Sequence, residues 1–126
     1  MAIWHGERGR KATGGIIKLA RKKRKYELGS LPLHTKLGKE KRIIKRTKGG
    51  GTKVKLSFAE WANVLDPKTK QTKKVKIITV VSTPSHPFLA RQNVITKGCI
   101  IKTEIGNAKV TSRPSQHGIV NAVLIE

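Results

Sequence analysis

Acidic residues are scarce: seven Asp and Glu stand in a chain of 126 residues. Glu7, Glu27, Glu40, Glu60, Asp66, Glu104 and Glu126 are dispersed, with no two close in sequence. Enzyme sites need converging titratable groups, so a hydrolase or other catalytic reading finds no residue to carry it. Asp66, the single aspartate, precedes Pro67 and reads as a turn former. The lone Cys99 excludes an internal disulfide and a cysteine-based zinc cage, and points to a reducing, intracellular compartment. It falls on the apolar face of an expected strand, where a free cysteine behaves as a small buried hydrophobe. His5, His34, His86 and His117 show no metal-ligand spacing. Aromatics are few: Trp4, Tyr26, Phe58, Trp61 and Phe88. That is too few for the stacking platform of a single-strand binder. Phe58 and Trp61 read as core, while Trp4 and Tyr26 are placed to stack on nucleic acid. No apolar run approaches the roughly 18 residues needed to cross a bilayer. MAIWHGERGRK lacks the apolar stretch of a signal peptide, so a soluble cytosolic protein is expected. Neither TGG at 13–15 nor KGGGTK at 48–53 fits G-x-x-x-x-G-K-[ST], so nucleotide binding is not supported. No cofactor, metal, membrane or small-molecule substrate is expected.

Positive charge is what the chain has. Lys and Arg number 28, giving a formal net charge of +21, which implies a polyanionic partner. Residues 1–50 carry 16 basic and three acidic side chains (+13), and residues 51–126 carry 12 and four (+8). The densest part is ARKKRKYELG at 20–29, where five consecutive cations, Arg21, Lys22, Lys23, Arg24 and Lys25, run into Tyr26 and Glu27. Such a run repels itself unless an anion lies against it. Glycines interleaved with the cations allow close backbone approach, and the N–H groups of Gly14 and Gly15 are candidate phosphate donors.

Residues 1–40 read as a basic arm, ordered on binding, with little core of its own. Two local conformations are open for it: a short helix on Ile16, Leu19 and Ala20 with Gly29 beyond its end, or an extended arm. Leu31-Pro32 forbids helix locally, and the glycines at 49–51 mark a joint or wide turn. From residue 41 a β-domain is expected. Ile43 and Ile44 begin the sheet, and Val54, Leu56 and Phe58 alternate with Lys55 and Ser57. VKIITVVST at 75–83 reads as a central strand, apolar on both faces, and 88–95 as a short extra strand. CIIKTEI and AKVTSR flank Gly106-Asn107 as a hairpin, and IVNAVLI at 119–125 supplies a closing strand. Five or six short strands with regular turns predict a mostly β chain: a small antiparallel β-barrel or sandwich over 41–126, with an extended basic N-terminal arm.

KATGG (11–15), RKKRKYELG (21–29) and HTKLG (34–38), in that order, closely resemble the signature of the archaeal and eukaryotic S8e family of small-subunit ribosomal proteins. The β-rich remainder, including VKIITVV and KGCIIK, is similar as well, so the resemblance covers essentially the whole chain. It implies a structural, non-catalytic protein of the small subunit that binds ribosomal RNA, beside neighbouring small-subunit proteins, on cytoplasmic ribosomes. Eukaryotic members continue basic after the two glycines, where this chain has Ile16-Ile17, and they carry a long insertion missing here; both departures fit an archaeal member. The family carry-over falls on Lys11, Thr13, Gly14 and Gly15, on the cations 21–25, on Tyr26, Glu27 and Gly29, and on residues 35–38. Glu27 would hold neighbouring basic side chains in position, and Gly29 would turn the chain toward the barrel.

The expected RNA-binding residues are Arg8, Arg10, Lys11, Thr13, Gly14, Gly15, Lys18, Arg21, Lys22, Lys23, Arg24, Lys25, Tyr26, Thr35, Lys36, Lys41, Arg42, Lys45, Arg46 and Lys48. They would act by phosphate-backbone and shape contacts to folded RNA. A free-standing architectural nucleic-acid binder or RNA chaperone is the alternative reading.

Overall fold

The structure is a computed structural model and describes residues 2–7 and 9–125, with the side chains of Ala2 and Lys48 outside that set. The chain divides into two compact units, Met1–Pro32 and Leu33–Glu126.

In the first unit, strand β1 (Ala2–Trp4) pairs antiparallel with β2 (Leu28–Ser30), Trp4 opposite Leu28. Residues 9–17 form a tight hairpin, with Arg10 bridged to Ile16 and Lys11 N–H donating to Gly15 O at 2.8 Å. Its turn places Gly14 at φ +82, a conformation that glycine adopts without a Cβ penalty. No helix covers Ile16, Leu19 and Ala20, and both Ile16 and Leu19 are exposed. A segment that short and that basic cannot offset the cost of helix nucleation without a face to pack against. Lys25–Glu27 form a 3-10 turn, the one helical turn among the described residues of this unit. Gly29 is no turn residue either. It sits in β2, and a Cβ there would lie 2.0 Å from His5 Nε2, so the glycine admits the imidazole.

In the second unit, β6 (Trp61–Leu65), β7 (Thr72–Ser82), β8 (Ile100–Thr103), β9 (Asn107–Val110) and β10 (Asn121–Leu124) close a barrel in the order β10-β6-β7-β8-β9. Four of its pairings are antiparallel, and β10–β6 is parallel. A closed ring of five strands cannot alternate direction all the way round, so one parallel pair is a topological necessity. Beside the barrel lies a second sheet, β3 (Lys36–Leu37), β5 (Thr52–Ala59) and β4 (Lys41–Arg46), in the order β3-β5-β4. The expected hairpin forms around Gly106, and the expected closing strand closes the barrel.

The core follows from alternation. Along β6, Ala62 and Val64 point inward and Trp61, Asn63 and Leu65 outward. Val75, Ile77, Val80, Ile95, Ile101, Val110, Val120 and Ala122 complete the apolar interior, with Cys99 fully buried among them. Three expectations are corrected here. The strand β7 is central, yet it is not covered on both faces. Irregularities between Ile77 and Thr79 shift its phase, so that Ile77 and Val80 are buried while Ile78 and Val81 are each 52% exposed. Residues 88–95 are not a strand: α1 (Pro87–Arg91) begins on a proline pre-set for helix, and a turn through Asn93 follows. Phe58 and Trp61 are exposed. The Phe58 ring lies over Gly38, and Lys74 Nζ sits 5.4 Å from the Trp61 ring centroid.

Candidate nucleic-acid interface

The basic run of the first unit is organised by one carboxylate. Glu27 Oε2 accepts from Trp4 Nε1–H at 3.0 Å and from the Arg24 backbone N–H at 3.2 Å, and Oε1 accepts from the Arg21 guanidinium. The indole, the guanidinium and the backbone donor together hold the Glu27 carboxyl down at about 2, the Trp4 bond contributing most. The same pair raises the Arg21 guanidinium, through the Glu27 hydrogen bond above all. Trp4 is only 9% exposed, and Lys23 Nζ lies 5.4 Å from its ring centroid, a cation–π contact. A Cβ on Gly6 would come within 2.0 Å of the Trp4 ring, so Gly6 gives the indole its seat. Trp4 is therefore the packing centre of this unit and not a stacking platform. Tyr26 is the exposed aromatic there, at 66%.

Around this hub Lys22, Lys23, Arg24 and Lys25 are exposed, as are Lys11, Thr13, Gly14, Gly15 and Lys18. Arg10 is also exposed and donates to Gly14 O at 2.8 Å, bracing the hairpin turn. The Gly14 N–H, a candidate phosphate donor, is used inside the turn, donating to Lys11 O at 2.9 Å. Arg8 lies outside the described residues, as does the Lys48 side chain.

In the second unit, Lys41, Arg42, Lys45 and Arg46 are all exposed on β4, with Arg42 paired to Glu40, and Lys36 is exposed on β3. Thr35 is corrected. It is 1% exposed, and its hydroxyl donates to Leu56 O at 2.7 Å, so its side chain is spent on holding β5. Its carbonyl accepts from Ile95 N–H at 2.7 Å, which sews residues 35–37 into the barrel unit. The boundary between units accordingly falls at Pro32 and Leu33, ahead of residue 40. Two lysines that sequence reasoning passed over, Lys53 and Lys55, lie on β5 beside β4. The signal was present: in TKVKLSFA they occupy the positions that alternate with Val54, Leu56 and Phe58.

Among the described residues no group of three His, Cys, Asp or Glu is placed to hold a metal, and no helix is long and apolar enough to cross a membrane. Asp66 is indeed a turn residue, accepting from Lys68 N–H at 3.0 Å and Thr69 Oγ1 at 2.9 Å, bonds that lower its carboxyl below the usual range.

A closed five-stranded barrel, a second sheet with a cationic strand and a leading segment of outward-facing lysines and arginines define a small, strongly basic β-barrel protein. Comparison with known proteins makes the class specific. Residues 4–125 match the family described as ribosomal protein S8e. The chain is 52% identical over 126 residues to the small ribosomal subunit protein eS8 of Methanococcus aeolicus, covering 99% of this chain and 98% of that one. It is 49% identical over 123 residues to the eS8 protein of Methanospirillum hungatei, covering 98% of each. The chain belongs to the ribosomal protein S8e family, and these relatives are archaeal. Its homologues are ribosomal structural proteins and not enzymes.

Proposed function

We propose that the chain is a structural constituent of the small ribosomal subunit that binds and stabilises folded ribosomal RNA through its phosphate backbone, beside neighbouring small-subunit proteins on cytoplasmic ribosomes. The observation that carries this reading is the Glu27 hub. A single carboxylate, tied to a packed indole, fixes the chain path under five adjacent cations and leaves most of them without an acidic partner among the described residues. An ordered, uncompensated positive surface suits crowded phosphates, and counterion release supplies its affinity without reading sequence. Residues 1–32 act as the leading RNA-binding element. Lys36 and the cations of β4 add contacts from the second unit, and Tyr26 stacks on a base or ribose.

Sedimentation of a cell extract at high salt tests the reading, with the protein followed by mass spectrometry. One copy per small subunit, retained when loosely bound basic proteins are stripped, is the expected outcome. A spread across free RNA, DNA and light fractions would refute it in favour of a general nucleic-acid binder.

A further inference from the structure

β4 and β5 form a two-stranded ribbon whose turn runs through Gly49 (φ +76) and Gly50 (φ +81). From Arg42 to Arg46 the register is regular, with Ile43 opposite Lys55 and Lys45 opposite Lys53. Alternation therefore gathers Ile43, Lys45, Lys53 and Lys55 on one face, and Arg42, Ile44, Val54 and Leu56 on the other. Leu56 is 3% exposed, so the second face turns to the core at that end and the lysine face turns away from it.

Directly opposed residues bring their Cβ atoms to about 4.5–5.5 Å, which sets Lys45 against Lys53. Lys55 follows Lys53 on the same face after about 6.8 Å of strand. Like charges in this arrangement destabilise a sheet. No carboxylate offsets them among the described residues: Glu40 pairs with Arg42 and Glu60 with Lys76. An arrangement unfavourable to the isolated fold becomes favourable when an anion lies across both strands.

We infer that the face formed by Lys45, Lys53 and Lys55 is a second RNA-binding element. It takes the sugar–phosphate backbone of a folded RNA across the two strands, with Ile43, 41% exposed, packing on ribose between the lysines. The inference rests on the reading that RNA is the polyanion, and it extends the interface to a face of β5 outside the residues expected from sequence. Recognition here is of backbone and shape, because lysine ammonium groups are point charges that carry no base code.

The test compares the full chain with a variant carrying Lys45→Gln, Lys53→Gln and Lys55→Gln, both titrated with transcribed small-subunit ribosomal RNA between about 50 and 200 mM salt. Removing three contacts should lower the log–log salt slope by about 2–3. The free variant should melt no lower than the parent, since a repulsion has been removed. An unchanged slope, with the parent still binding RNA, overturns the inference and leaves the family-level reading intact. A parent chain with no salt-dependent affinity for that RNA overturns the reading beneath it. If the triple variant fails to fold, a photocrosslinking residue at position 53 in intact small subunits decides: an adduct to RNA supports the inference, and an adduct to protein alone overturns it.

Discussion

Cutting the chain between Pro32 and Leu33 should separate RNA affinity from folding. The removed segment holds nine Lys and Arg, of which Arg21 is committed to Glu27, leaving eight cations for phosphate. At roughly 0.7–0.9 of a released counterion per neutralised phosphate, full engagement of those eight supplies about 6–7 units of log–log salt slope. A set of contacts that size accounts for about 10³–10⁵ in affinity between 50 and 200 mM salt. The fragment from Leu33 retains Thr35, β3 and the whole barrel, so its far-ultraviolet spectrum and cooperative melt should persist while the slope collapses. Cutting after residue 40 instead deletes the Thr35 bonds to Leu56 and Ile95. With them go the bonds of Leu37 N–H to Asn93 O and Gly38 N–H to Ala59 O, and four hydrogen bonds amount to about 4 kcal/mol, or about 20 °C of melting temperature in a domain this small. Filter binding across a salt series, paired with thermal melts of both fragments, makes the measurement. A folded fragment from Leu33 that kept the parental slope would refute the assignment of RNA binding to the first unit.

Other perturbations report on single residues. Glu27 titrates near 2 in the folded chain, below its usual value of 4.5. Its contribution is therefore complete above about 4.5 and is lost as pH falls toward 2; carboxyl NMR should show that low midpoint, moving upward most in Trp4→Phe. Asn93 sits at φ +52, and its Oδ1 accepts from Thr79 Oγ1 and Val80 N–H where β7 is irregular. Asn93→Ala should cost about 2–3 kcal/mol in chemical denaturation, and Asn93→Gly less, because only the acceptor is lost. Burial pushes the Cys99 thiol up. A thiolate-specific reagent should react with it only as the barrel unfolds, and rapid labelling of the native protein would contradict the packing described.

The barrel was legible where one physical rule acted alone. Period-two alternation marks β5, the Gly106-Asn107 pair marks the β8–β9 hairpin, and an apolar run after a glycine marks β10. The reading failed where a second effect intervened. VKIITVV looks two-sided because a phase shift near Ile78 converts one face into both, and no local propensity announces that shift. Asn93, which repairs the backbone there, lies 14 residues from Thr79, too far for a sequence pattern to link them. The packing role of Trp4 is hidden from local sequence because its seat depends on Gly6 and on Glu27, the latter 23 positions away. The outward cations were visible from composition, whereas their arrangement required knowing which carboxylate they share.

The parallel β6–β10 pair also sets an order of events. Asn63 and Asn121, partners in that pair and 58 positions apart, must meet before the ring is complete. Closure of a loop that long is entropically costly, and such non-local pairings slow folding. During synthesis every cation of the first unit has emerged before β10 exists, while Trp4 and Leu28, partners in the β1–β2 pair, lie only 24 positions apart. The nascent chain thus carries its densest charge on early, locally paired segments, and completes its barrel with the strand made last in that order.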